Sequence, residues 1–118
     1  MTSNLKAAYM PRTISREEIR AVADQIAQKF NPQKIILFGS YARGTAHPFS
    51  DIDLLVVLDN NAPGRDPEIE VVLSVPHKFP MDLLVRSPQE IVNRLRMGDT
   101  FFQDIMEQGV ILYERPRE

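Results

Sequence analysis

The sequence predicts a single α/β domain. Short apolar runs of strand length alternate with helical stretches that carry their own start signals, at Ser15–Glu18 and at Ser87–Glu90. The length of 118 residues gives room for one core, and 43 % apolar residues are enough to fill it. The elements add up to a mixed sheet of about four strands flanked by helices.

The elements follow in order. Residues 1–14 show no sustained period and read as an N-terminal arm, with the domain proper over 15–113 and a charged tail over 114–118. Ile19, Val22, Ala23, Ile26, Ala27 and Phe30 recur at helical spacing, so a helix spans 16–29 and ends at Asn31-Pro32. Lys34 to Phe38 is too short and too evenly apolar for a surface helix and reads as a buried strand. Gly39-Ser40 breaks it, Tyr41 to Arg43 forms a helical turn closed by Gly44, and a polar loop leads to Ser50. Asp51 to Leu58 is the second strand, with Ile52, Leu54, Val56 and Leu58 on one face and Asp51, Asp53, Leu55 and Val57 on the other. Residues 59–66 carry Asn-Asn and Pro-Gly punctuation and form a loop. Pro67 to Val75 fits either a helix or a strand; first-position Pro67 tips the reading to helix. Met81 to Arg86 is a third strand. Ser87-Pro88-Gln89-Glu90 starts a helix that runs to about Met97, Thr100 to Gln108 is another helix stopped by Gly109, and Val110 to Tyr113 is a last strand.

Composition excludes several function classes. A formal net charge of -2 supplies no basic field for nucleic acid. With no cysteine, disulfides and thiolate metal sites are ruled out, and a reducing cytoplasm is the expected compartment. No apolar run approaches membrane-spanning length, so no membrane partner is expected.

The stretch that carries chemistry is Gly39-Ser40-Tyr41-Ala42-Arg43-Gly44, then Asp51-Ile52-Asp53. Two aspartates two residues apart on a strand share a face, roughly 6.5–7 Å apart. At an effective dielectric of about 20 they repel by ~2.5 kcal/mol. A divalent cation relieves that repulsion, and hard carboxylate oxygens suit Mg²⁺ or Mn²⁺. A buried strand ending in Gly-Ser offers backbone N–H groups and a hydroxyl to phosphate oxygens. Asp51 lies eleven residues after Ser40 (51 − 40), enough for a short helix and a return to an adjacent strand. Asp82, 29 residues after Asp53 (82 − 53), opens a third apolar strand and supplies a third carboxylate if the two strands pair. Two-metal phosphoryl and nucleotidyl transfer needs such a set.

Gly-Ser, a spacer, Asp-x-Asp and a later lone Asp resemble the signature of the polymerase-beta-like nucleotidyltransferase superfamily. The Gly-Ser-Tyr-Ala-Arg-Gly wording and the closing Glu107 to Tyr113 segment are similar to the minimal nucleotidyltransferases, the MNT family. The resemblance implies a nucleotidyltransferase fold, with Gly39 and Ser40 on the triphosphate, Asp51 and Asp53 on metal, and Asp82 completing the triad. It further implies ATP as substrate and an all-helical HEPN-type toxin as partner, the chain being the antitoxin that transfers AMP to it. Arg43 faces the phosphates in this reading, or pairs with a surface carboxylate.

Plainer roles fit other residues. Ser50 caps or turns the chain into the strand, and His47 and His77 lack metal-ligand spacing and read as loop residues. Phe101, Phe102, Ile105 and Met106 are core or a partner surface. Arg94, Arg96, Arg115 and Arg117 are scattered and read as solvated. Two further functions stay open: a non-catalytic module that masks a toxin, and a dimeric small-molecule nucleotidyltransferase.

Overall fold

The computed structural model describes residues 12–59 and 66–117. Residues 1–11 of the expected 1–14 arm, the loop residues 60–65 and the last residue of the expected tail lie outside the described residues.

Among the described residues, five helices and four strands follow one another as α1 (Arg16–Phe30), β1 (Lys34–Phe38), α2 (Ser40–Arg43), β2 (Ile52–Val57), α3 (Pro67–Ser74), β3 (Met81–Arg86), α4 (Pro88–Arg96), α5 (Thr100–Gln108) and β4 (Val110–Glu114). The strand order is β3-β2-β1-β4. β1 runs antiparallel to both β2 and β4, while β2 and β3 are parallel. A parallel pair needs a crossover, and α3 supplies it. The ambiguous 67–75 segment is therefore helical, with Asp66 capping its first amides.

Alternation along the strands builds two cores. Ile35, Leu37, Ile52, Leu54, Val56, Leu83 and Val85 face α1 and α3, which add Ile19, Val22, Ala23, Ile26 and Val71. Ile36, Leu55 and Val57 face the other way and meet Ile91 of α4 and Phe102 and Ile105 of α5. The result is a sheet between two helical layers, and a strand apolar on both faces, as β2 is, must sit in the middle of it.

Helix starts follow the sequence signals. Ser15 and Ser87 both form complete capping boxes, with Glu18 and Glu90 respectively. The Arg12 guanidinium and the Ser15 backbone hold the Glu18 carboxyl down at about 2. Asp99, which carries no such pattern, caps α5 by accepting from the amides of Phe101 and Phe102.

One sequence expectation needs correction, and another holds for a reason of its own. Arg115 is not merely solvated: it pairs with Asp59 at 2.6 Å and donates to the Asn31 carbonyl at 3.2 Å, tying the chain end to the loops beside β1. Gly109 does end α5, but at φ -71 and ψ 159 it needs no left-handed conformation. A side chain there would run into the Ile105 carbonyl and the Ile36 side chain, so glycine is required by close packing.

Candidate active site

The Gly-Ser turn is built from both ends. Gly39 has φ 75 and ψ -154, a region open essentially to glycine alone. A Cβ at Gly39 would also strike the Asp53 carboxylate, coming within 3.1 Å of Asp53 Cγ. Glycine is needed here twice, once for the backbone and once to leave room for a carboxylate. From this turn α2 closes with Ala42 N and Arg43 N both donating to the Gly39 carbonyl at 3.1 Å. Tyr41 anchors it: its buried hydroxyl accepts from the Ile14 amide at 3.0 Å, and Arg16 donates to its carbonyl at 3.3 Å. Nothing in the local sequence signals this tie between α2 and the start of α1, because its partners lie 25 and 27 residues apart in the chain.

The aspartates are set by register. Phe38 at the end of β1 pairs with Asp53, and Asp53 pairs with Asp82 across the parallel β2–β3 ladder. Paired residues on neighbouring strands, about 4.8 Å apart, point to the same face. Ile52 N donates to the Pro80 carbonyl at 3.0 Å, which fixes the two strand starts side by side. Asp51 lies one residue outside β2, exposed at its mouth. The loop before it is turned by Ser50, whose hydroxyl accepts from His47 N at 3.0 Å. His47 Nδ1 accepts from Phe49 N at 3.3 Å and His77 Nδ1 lies 3.0 Å from the Val75 carbonyl, so both histidines serve local turns.

Electrostatics marks the same spot. Burial pushes the Asp53 carboxyl above its ordinary value, and the nearby Asp82 and Asp51 carboxylates push it further; Arg43 pulls the other way. Arg43 itself makes no ion pair among the described residues, which removes the surface-pairing alternative. Among the described residues no three carboxylates stand close enough to hold one ion as they are. An ion held together with substrate phosphates and water needs only one or two carboxylates, the number that Asp53 and Asp82 supply at the cavity. Asp53 is half-buried and Asp82 exposed beside it, and the two carboxylates repel each other.

A cavity of about 600 Å³ opens over these groups, lined at one end by Gly39, Arg43, Asp53 and Asp82. Five of the six predicted site residues are thus brought to one place: Gly39, Arg43, Asp53 and Asp82 on the wall, and Asp51 close enough to shift Asp53. Ser40 adjoins Gly39 at the start of α2 without lining the cavity wall. Sequence reading missed the part of the lining supplied by one face of α5, with Phe101, Asp104, Ile105 and Gln108. The i, i+3, i+4, i+7 spacing of those four was the available signal. The apolar cluster on α5 divides accordingly: Phe102 and Ile105 are core, while Phe101 and Met106 remain exposed.

A glycine-backed turn facing a pair of in-register aspartates, on an α/β sheet with a cavity above, defines a nucleotidyltransferase-type site. Comparison with known proteins agrees. The nucleotidyltransferase domain model matches residues 19–112, and the chain belongs to that family, in its minimal (MNT) branch. Two Methanocaldococcus jannaschii proteins provisionally named protein adenylyltransferases are similar. One is 36 % identical over 83 residues, covering 69 % of this chain and 78 % of that protein. The other is 63 % identical over 35 residues, covering 28 % of this chain and 24 % of that protein. A bifunctional uridylyltransferase/uridylyl-removing enzyme of Stutzerimonas stutzeri is 36 % identical over 65 % of this chain, yet the match spans only 9 % of that enzyme. Among solved structures, a nucleotidyltransferase provisionally so named from Sulfolobus solfataricus superposes with a TM-score of 0.58 at 22 % identity, covering 84 % of this chain and 79 % of that one. A toxin–antitoxin structure with AMP-PNP superposes at 0.52 and 24 % identity, covering 80 % and 73 % of the two chains. These two establish a shared fold. No helix among the described residues is long and apolar enough to cross a membrane.

Proposed function

We propose that the chain transfers a nucleoside monophosphate, AMP in the first instance, from a triphosphate to a hydroxyl on a partner protein. The observation that carries this reading is the Asp53–Asp82 register pair placed against the bare backbone of Gly39. Asp51, Asp53 and Asp82 would hold Mg²⁺ or Mn²⁺, which when bound neutralises phosphate charge and acidifies the attacking hydroxyl. Gly39 and Ser40 receive the triphosphate through backbone and hydroxyl, and the unpaired Arg43 guanidinium faces its oxygens. The hydroxyl oxygen forms a bond to the α-phosphorus, the bond from that phosphorus to the β-bridging oxygen breaks, pyrophosphate leaves, and the hydroxyl proton passes to solvent. A protein acceptor is favoured by the names of the two similar Methanocaldococcus jannaschii proteins. In the same reading the partner is a toxin of the all-helical HEPN kind and the chain its antitoxin, a role supported by the structural neighbour with AMP-PNP.

The test is Asp82→Asn with the helical partner and labelled ATP. The parent adds AMP to the partner. The variant still captures the partner and ATP but transfers slower by orders of magnitude, since the third carboxylate bears on the hydroxyl side of the site. Should the variant neutralise the toxin as fully as the parent, masking rather than transfer is the function.

A further inference from the structure

The α5 part of the cavity lining is chemically unlike the part around Gly39, Arg43, Asp53 and Asp82. Phe38 and Phe101 meet edge to face with centroids 5.7 Å apart, and Phe101 is still 49 % exposed. Beside them on α5 stand Asp104 and Gln108, both exposed, both lining the cavity. Neither makes a hydrogen bond or ion pair among the described residues, although the neighbouring N-caps of α4 and α5 are both satisfied. Their spacing of four residues places them one above the other on the helix face, with Cβ atoms about 5–6 Å apart.

We infer that this face of α5 reads the nucleobase, with Asp104 and Gln108 selecting a 6-aminopurine over a 6-oxopurine; the inference rests on the nucleotide reading above. An ionised carboxylate only accepts hydrogen bonds, and a glutamine amide can donate beside it. Adenine presents the complement, an exocyclic amine next to a ring-nitrogen acceptor. Asp104 repels phosphate, so the triphosphate lies towards Gly39 and Arg43 and leaves the uncharged base for the α5 wall. Phe101 supplies a ring face beside it for stacking. A 6-oxo group in the amine's place would set its oxygen against the carboxylate.

The experiment measures affinities for ATP and inosine triphosphate, which differ at that position, by calorimetry with Mg²⁺. The parent favours ATP by about tenfold or more, the size expected of one hydrogen bond to a charged group. Asp104→Asn, which can donate to an oxo group, brings the two affinities within about twofold by improving inosine triphosphate. Inorganic tripolyphosphate is the control for the phosphate half, and its affinity does not fall in the variant. Equal affinities in the parent, or a ratio that Asp104→Asn leaves unchanged, overturn the base-reading wall while triphosphate binding keeps the nucleotide reading intact. Slower transfer in Asp104→Asn with an unchanged ratio likewise overturns it and puts Asp104 on the acceptor side. A parent that binds no triphosphate at all overturns both readings.

Discussion

Removing a charge from the site should make the free protein more stable. Asp53 lies directly opposite Asp82 in the parallel ladder, with Asp51 two residues before it on the chain. At ~5.5 Å and an effective dielectric of about 20, one such pair repels by ~3 kcal/mol, and a second at ~6.7 Å adds ~2.5. Most of this is lost to solvent, because Asp51 and Asp82 are exposed and Arg43 opposes them, so about 1 kcal/mol remains. Asp53→Asn keeps the volume and removes the charge. In chelator at neutral pH the variant should unfold about 4 °C higher than the parent, by thermal melt followed with circular dichroism. The pH dependence has a definite sign. The folded-state carboxyl of Asp53 is raised above its ordinary 3.8, so the folded protein binds the proton more tightly than the unfolded chain. Stability from this group is therefore lost as pH rises through 3.8 to the raised value, and the variant's advantage should open over that interval and vanish below it. A variant that is less stable than the parent at neutral pH, or equally advantaged at every pH, would refute the crowding of charge at this site. Gain in stability accompanied by loss of triphosphate binding is the usual trade at a site built for a ligand.

Two further outcomes follow from the geometry. Gly39→Val should abolish triphosphate binding and cost about 1–3 kcal/mol in backbone strain alone, whereas Ser40→Ala should weaken binding modestly; both are read by calorimetry and urea unfolding. Glu68 of α3 accepts from the Val85 amide at 2.9 Å and from Arg86 at 2.7 Å, closing the outer edge of β3. Glu68→Ala should cost about 1–2 kcal/mol in urea unfolding by leaving that amide unpaired, and Glu68→Gln should recover part of it.

What the sequence made legible was whatever depends on near neighbours. Capping boxes at Ser15 and Ser87 involve residues three apart, and each forms as written. Period-two alternation put Asp53 on one face of β2 with Leu55 and Val57, and the two cores divide along that line. Pro67 opened a helix because its missing amide costs nothing at a first position, even though the valines after it suit a strand equally well. The less legible features all depend on which elements become neighbours. That Asp82 stands level with Asp53 is a fact of parallel register, set by a crossover whose packing is decided by Val71 and the far core. Tyr41 reads locally as one residue of a turn, and only the position of α1 reveals it as the anchor of the Gly39-Ser40 turn.

Gly109 shows why even a correct local reading can rest on the wrong cause. A glycine after a helix suggests a left-handed cap, and the helix does stop there. Yet its backbone is extended, and the constraint is space: the Ile105 carbonyl, the Ile36 side chain and, at 3.2 Å, the Leu37 carbonyl crowd the absent Cβ. That crowding brings the end of α5 down onto β1. It is also what sets Asp104 and Gln108 over the cavity, since α5 is held to the sheet by Phe102 and Ile105 on its inner side and by this contact at its end. The placement of α5 at the cavity therefore depends on a glycine that itself lines it. A glycine required by close packing seats the end of α5 on β1, much as Gly39 leaves the space that the Asp53 carboxylate occupies.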